Sequence, residues 1–262
     1  MLSRSIPPIH RQVVTAVADG ALAATAMEKY AAAMQAKTGL IPEVPVPAPK
    51  EKEVPAPAPA KAADGALFDE AMLQQLNTVF SRMGSKLTLK LSLDDRPVSS
   101  ELKGYMQELT KLTDKLDLVE EDGGEAPCVR IYREDGSYSG LAFHGVPGGH
   151  EFTSFVLGLY NAAGPGQALD ADVREAIGNL GRKDLKVLVS LSCTMCPELV
   201  TAAQRIAAEN GSVSAEVYDL NHFPELRNKY KVMSVPCLVV NEGETISFGK
   251  KNVRQILELL SK

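Results

Sequence analysis

From Lys86 to Leu93 the chain reads KLTLKLSL, apolar and polar residues in strict alternation. That is the period of a strand with one face in a core and the other toward water. On either side the apolar spacing changes to three and four, which predicts helices over Leu67–Ser81 and Ser99–Lys115. Strands follow at Leu116–Glu120, Cys128–Arg133 and Leu141–His144, the last two joined through Asp135-Gly136, and a helix at His150–Asn161 closes the run. The order then starts again. Leu185–Leu191 reads as a strand, Cys196–Glu209 as a helix, Val213–Leu220 as a strand and Phe223–Tyr230 as a short helix. Strands Cys237–Asn241 and Thr245–Phe248 flank a turn at Glu242-Gly243, and Asn252–Ser261 forms the last helix. Right-handed crossovers turn each β-α-β opening, with its closing hairpin and helix, into a mixed sheet flanked by helices. The fold class is therefore α/β, with two units in tandem.

Self-comparison supports a duplication. SLDDRPVSSEL at Ser92–Leu102 occupies the strand-to-helix junction that SLSCTMCPEL occupies at Ser190–Leu199, and Ala126-Pro127-Cys128-Val129 echoes Val235-Pro236-Cys237-Leu238. The interval from Cys193 to Pro236 is longer than that from Asp95 to Pro127, and the helix Phe223–Tyr230 fills the difference. Ahead of both units, residues 1–40 carry Val13, Val17, Ala21, Ala24, Met27, Tyr30, Ala31 and Met34 at helical spacings, on a shallow Ala-rich face. Residues 41–64 contain IPEVPVPAPKEKEVPAPAPAK, a Pro/Ala linker. Prolines bias their neighbours toward extended backbone, so roughly twenty such residues at about 3.1 Å each span up to ~60 Å. The division is thus an N-terminal helical segment at 1–40, the linker at 41–64, a first unit at 65–165 and a second at 166–262.

Composition narrows the function. A hydrophobic content of 45% with 23% charge suits a folded chain, and the net charge of −5 lacks the basic footprint of a nucleic-acid or anionic-membrane binder. Gly, Pro or charge interrupts every apolar stretch well short of the roughly 20 residues of a spanning helix. Pro7, Pro8, His10 and Arg11 break up the place where a secretory signal would need its apolar region. The expectation is a cytoplasmic protein without nucleic-acid or membrane partners.

The cysteines carry the chemistry. Of four, two sit together as Cys193-Thr194-Met195-Cys196, and Cys128 and Cys237 each follow a proline. A secreted scaffold of this length would carry more cysteines at dispersed spacings, so the pattern points to redox work in a reducing compartment. In such a pair the first thiol caps a helix, beside unsatisfied N–H groups and the positive end of the dipole, an environment that favours thiolate. Pro197 suits the opening turn of that helix. Cys193 attacks a substrate disulfide, and Cys196, one turn on and more buried, resolves the mixed disulfide. A structural zinc site needs a second pair, which the chain lacks. His144 and His150 form a weak metal candidate, with Glu151 as their sole carboxylate at ligand spacing. Cys237 is either a small buried hydrophobe or a partner in an alternative disulfide.

These residues resemble the thioredoxin/glutaredoxin superfamily, and within it the tandem-thioredoxin N-terminal domain of the F component of alkyl hydroperoxide reductase. The resemblance rests on Ser92-Leu93-Asp94-Asp95, on Gly149-His150-Glu151-Phe152-Thr153-Ser154, on Ser190-Leu191-Ser192-Cys193 with Cys196-Pro197, and on Val235-Pro236. It covers the chain from about residue 68 onward. It implies a cis proline at Pro236 whose backbone, with Val235, Thr194 and Met195, meets an extended substrate segment. It implies a first fold without active cysteines, and Asp95, Arg96, Pro97 and Val98 stand where a pair would sit. It also implies that Glu151 approaches the cysteines as acid/base group, a role left vacant by Val187, which stands where thioredoxins bury an aspartate.

What the resemblance implies for function is a thiol-disulfide oxidoreductase with no bound cofactor, its working group being the Cys193–Cys196 pair. FAD and NAD(P)H belong on a partner, a flavin-dependent thioredoxin reductase-like protein, because no Gly-rich dinucleotide fingerprint follows Lys262. Electrons leave to a peroxiredoxin or another disulfide-bearing protein. Direction follows from potential, which leaves an oxidant or isomerase role open. The reading from a different class is a non-catalytic assembly protein docked through its N-terminal helix in a larger redox complex.

Overall fold

The computed structural model describes residues 67–261. The helix expected at 1–40 and the linker at 41–64 lie outside the described residues. Helix α1 (Glu70–Phe80) leads into β1 (Leu87–Ser92), α2 (Pro97–Thr110), β2 (Leu116–Glu120), β3 (Cys128–Arg133), β4 (Tyr138–His144) and α3 (Glu151–Ala163). After α4 (Ala171–Gly178) the same order returns as β5 (Lys183–Val189), α5 (Cys196–Glu209), β6 (Val213–Asp219), the short α6 (Glu225–Lys229), β7 (Cys237–Val240), β8 (Thr245–Phe248) and α7 (Val253–Leu260). Each half is a thioredoxin-like unit, as expected.

The two expected mixed sheets are in fact one. Eight strands run in the order β2-β1-β3-β4-β6-β5-β7-β8. Within each half the opening β-α-β strands pair in parallel and the hairpin pairs antiparallel. The seam is a parallel pairing of β4 with β6, from Leu141 opposite Ala215 to His144 opposite Tyr218. Each half taken alone would leave that edge unpaired, and an unpaired edge is satisfied most directly by another edge.

The alternation of β1 places Leu87, Leu89 and Leu91 fully in the core and leaves Thr88 and Lys90 half-buried on the other face. The core face is continuous across the seam: Leu89, Ile131, Phe143, Val217 and Val187 pack with Met106 of α2, Phe155 of α3, Ile206 of α5 and Ile256 of α7. The second half has a smaller cluster on the opposite face, in which Phe223 and Leu226 cover Leu188, Tyr218, Cys237 and Val239. Among the described residues no helix is long and apolar enough to cross a membrane.

Local differences from the sequence reading have local causes. Helix α2 starts at Pro97 rather than Ser99 because proline's missing N–H costs nothing in a first turn. It ends at Thr110, well before Lys115. Helix α4 has no counterpart in the sequence reading, since its eight residues bury just Val173 and Ile177. Strand β4 extends back to Tyr138 through Gly140, whose φ of +83° breaks the usual strand pattern.

Gly140 also lies close against the start of β6. A Cβ built there would stand 2.5 Å from the carbonyl oxygen of Val213, with no flexible atom to yield. Gly136 has a similar φ of +81° but open space around it. Both substitutions to alanine strain the backbone, and Gly140→Ala alone must also push the seam apart. Chemical denaturation is expected to find Gly140→Ala less stable than Gly136→Ala by about 1–3 kcal/mol.

Candidate active site

Strand β5 ends at Val189, and a turn through Ser190, Leu191 and Ser192 places Cys193 beyond the C-terminal end of this interior strand. The Cys193 N–H donates to the Ser190 carbonyl at 2.9 Å, and the Cys193 carbonyl accepts from the Cys196 N–H at 3.4 Å. Helix α5 starts at Cys196 with Met195 as its N-cap, so Cys193 stands just ahead of the helix rather than capping it. Pro197 lies in the first turn, as expected. The two thiols differ in environment: Cys193 is half-buried, and Cys196 is fully enclosed in the main core. Burial pushes the Cys196 thiol up, and the neighbouring Cys193 and Glu151 push it the same way.

Opposite Cys193 runs the loop to β7. The Val235–Pro236 peptide is cis, as the resemblance implied, and the Cys193 thiol lies 3.9 Å from the Val235 carbonyl oxygen. Pro236 is buried and Val235 half-buried, whereas Thr194 is exposed. Met195 is 52% exposed. Sequence reasoning missed a second methionine, Met233, which is 80% exposed two residues before Val235. Its place in the loop just before Ser234-Val235-Pro236 was the signal available. Two exposed, flexible thioethers on the segments that carry Cys193 and Val235 give an adaptable apolar rim for another protein's surface.

Glu151 arrives from the other half of the chain. It opens α3, and the loop before it presses on the active-site turn, where the His150 N–H donates to the Leu191 carbonyl at 3.2 Å. Gly149, with φ of +56°, makes this contact possible, because a Cβ there would stand 2.9 Å from the same carbonyl oxygen. Glu151 is 0% exposed. Its Oε2 accepts from the Ser154 hydroxyl, and among the described residues its Oε1 has no hydrogen-bond partner. Burial raises its carboxyl to about 7, the Ser154 bond opposes this and the charge of Asp219 adds to it. A buried acid titrating near neutrality is suited to proton transfer at a thiol.

The remaining candidates are held elsewhere. Cys237 is in the cluster on the opposite face from Cys196, with its thiol pushed up to about 11 by burial. Cys128 is also buried, 3.7 Å from His144 Nε2. His144 stacks on Tyr218 with ring centroids 3.9 Å apart and sits 3.1 Å from the Glu216 carboxylate. Burial would raise Glu216, but the His144 and Tyr218 contacts hold it down at about 2. This polar cluster straddles the seam. His150 is exposed at the start of α3, apart from buried His144. Among the described residues no group of three His, Cys, Asp or Glu side chains is placed to hold a metal.

In the first half the segment equivalent to the cysteine pair is Asp95-Arg96-Pro97-Val98, and the side chain that reaches furthest from it is that of Arg96. Its guanidinium pairs with Asp94 at 2.7 Å, donates to the Ala126 carbonyl just before Pro127, and donates to the His222 carbonyl of the second half at 2.9 Å. A site of exchange has become a tie between halves.

Comparison with known proteins agrees with this geometry. The Thioredoxin_3 thioredoxin domain matches residues 183–261. The F component of alkyl hydroperoxide reductase from Pseudomonas aeruginosa is 35% identical over 194 residues, covering 73% of this chain and 37% of that protein. The chain thus spans a little over a third of such relatives. The solved N-terminal domain of the Enterococcus faecalis F component is 36% identical, with a TM-score of 0.71 over 74% of this chain and 99% of that one. A protein disulfide oxidoreductase from Aeropyrum pernix shares the fold at 20% identity, with a TM-score of 0.64 over 73% of this chain and 91% of that one.

The raised Glu151 carboxyl makes stability depend on pH. The folded state keeps a proton that the unfolded chain releases in the ordinary carboxylate range, so stability falls as pH rises from there to about 7. Glu151→Gln, which fixes the neutral shape, is expected to be more stable than wild type above that point by on the order of 3 kcal/mol. Urea denaturation at a series of pH values checks this: the difference shrinks toward zero in acid.

Proposed function

The chain belongs to the family of tandem-thioredoxin N-terminal domains found in the F component of alkyl hydroperoxide reductase, thioredoxin-like disulfide oxidoreductases, and on that premise we propose that it relays electrons between proteins by dithiol-disulfide exchange. The observation that carries the reading is the pairing of a half-exposed Cys193, beside the Val235 carbonyl, with an enclosed Cys196 next to the buried Glu151.

Cys193 is the nucleophile. Its sulfur attacks a substrate disulfide, forming a mixed disulfide and releasing one substrate thiolate. Cys196 then passes its proton to Glu151 and attacks Cys193, so that the Cys193–Cys196 bond forms and the second substrate thiolate leaves. Enclosure keeps Cys196 from reacting with outside disulfides and leaves it one target. Val235 and Pro236 offer backbone to an extended substrate segment, and Thr194 and Met195 form its contact surface. The first fold, 65–165, acts as support and docking half, and the second, 166–262, carries the redox pair.

Reduction of the spent pair falls to a flavin-bearing reductase that draws on NAD(P)H. The electrons go on to a peroxiredoxin or another protein disulfide, in the reducing cytoplasm where such a relay finds its thiols free.

Cys196→Ser is expected to stall at the mixed disulfide and hold a peroxiredoxin covalently, visible as a dithiothreitol-sensitive band of summed mass. Cys193→Ser should show neither trapping nor turnover. Failure of the Cys196→Ser protein to capture a disulfide peroxiredoxin, together with no peroxiredoxin reduction by wild type plus a flavin reductase, removes the relay reading.

A further inference from the structure

Glu151 has a second carboxyl for company. Asp219 ends β6, and period-two alternation sets it on the same face as Val213, Ala215 and Val217, the face that α3 and α5 cover. Its register partner is Val189, the last residue of β5 before the cysteine turn, and the Leu220 N–H donates to the Val189 carbonyl at 3.0 Å. From the other side the loop from β4 to α3 packs on it: a Cβ at Gly145 would stand 3.3 Å from the Asp219 Cβ. Asp219 is 1% exposed. One of its oxygens, Oδ1, accepts from the Asn221 N–H at 3.0 Å. Its Oδ2 has no hydrogen-bond partner among the described residues, as Glu151 Oε1 has none.

Two buried carboxyls, each with an idle oxygen, thus lie under the helices on one face of the sheet, Glu151 acting on Cys196 and Asp219 acting on Glu151. They cannot both stay ionised there, because each charge lacks water and repels the other. Burial raises both, and Asp219 adds to the rise at Glu151. On the solvent side of Asp219 stands the His222 imidazole, whose Nε2 lies 3.8 Å from Oδ2 and which is about one-third exposed. The other ionisable groups around the pair are Cys193 and Cys196 from the active-site turn and α5, His150 at the start of α3, and Arg96, which reaches the His222 carbonyl from the start of α2.

We propose that Asp219 is a positioning residue for the proton on Glu151: the two carboxyls share one proton, and His222 exchanges it with solvent. The assignment rests on the dithiol reading above and adds the route by which its proton leaves. When Cys196 attacks Cys193, the Cys196 thiol proton moves to the carboxyl pair. The sulfur's electron pair makes the Cys193–Cys196 bond, and the bonding pair of the mixed disulfide departs on the substrate thiolate, which takes a proton from water. The carboxyl pair, now doubly protonated, returns one proton through His222. The dithiol loses two electrons, the substrate disulfide gains two, and no further reactant is needed.

The test is single-turnover reduction of glutathione disulfide by the pre-reduced full chain across pH, for wild type, Asp219→Asn, His222→Gln, Glu151→Gln and the Glu151→Gln/Asp219→Asn double variant. Asparagine keeps the oxygen that accepts from Asn221, and His222 is on the surface, so at least one of the two variants reports on a folded protein. Asp219→Asn is expected to move the Glu151-dependent limb of the pH profile down by about one unit, the size of a like-charge effect at close range. The double variant should match Glu151→Gln alone. With dithiothreitol added to regenerate the dithiol, His222→Gln should slow repeated turnover several-fold, with added imidazole restoring it. A limb that Asp219→Asn leaves in place while Glu151→Gln abolishes it overturns the assignment of Asp219 and spares Glu151. His222→Gln at the wild-type rate overturns the exit route. A wild type that reduces no glutathione disulfide at any pH overturns the dithiol reading and this assignment with it.

Discussion

The pairing of β4 with β6 is the contact on which the rest of the molecule depends. A parallel ladder running from Leu141 opposite Ala215 to His144 opposite Tyr218 joins two four-stranded halves into one sheet and fixes their register. Register matters because a slip of one residue would turn every side chain of β6 to the opposite face. With the seam in place, the loop leaving β4 falls on the active-site turn that follows β5, and α3 begins beside α5. Glu151 is 42 positions before Cys193 in the numbering, yet the sheet brings its carboxyl into the surroundings of Cys196.

The two halves have diverged in what occupies equivalent positions. The second keeps a thiol pair ahead of α5, next to a cis proline. The first has a cis proline at Pro127 too, but Asp95-Arg96-Pro97-Val98 replaces the thiol pair, and the Arg96 guanidinium bridges Asp94, Ala126 and His222. An arginine has five donors in a fixed fork, so it can hold several carbonyl and carboxylate oxygens at once, which a cysteine cannot. On the opposite face, Cys128, His144, Glu216 and Tyr218 make a buried polar cluster across the seam. A polar set of this kind costs desolvation wherever it is buried, and its contacts form in one register of β4 against β6. Both features bind the halves together, and neither requires exchange chemistry.

Around the cysteines the electrostatics run against ordinary protein practice. Carboxyls are usually kept ionised and paired, as Glu216 is with His144. Glu151 and Asp219 instead lie in the core with no Lys or Arg partner among the described residues, and the His222 imidazole approaches Asp219. Such an arrangement lowers stability, and active sites are where stability is given up in this way. In the proposed exchange this gives the enclosed thiol a proton acceptor shielded from water.

How far the sequence reached depends on whether a feature is local. The alternation of KLTLKLSL, the helical spacing of Cys196–Glu209 and the repeat of SLDDRPVSSEL in SLSCTMCPEL are local, and they gave the tandem α/β units and the order of their strands. The short α4 escaped because two buried residues make no visible period. Pairing between edge strands is not local, because nothing in β4 or β6 names its neighbour, and so the single sheet was not legible. The same holds at the site. Thiol spacing and the proline of Val235-Pro236 mark their chemistry within a few residues, so Cys193 and Cys196 stand out from the sequence. The approach of Glu151 came from resemblance, and Asp219 read as an ordinary strand end. Solvent exclusion decides whether a carboxylate is a surface charge or a proton store, and it is a property of the packed sheet and helices that no stretch of sequence carries by itself.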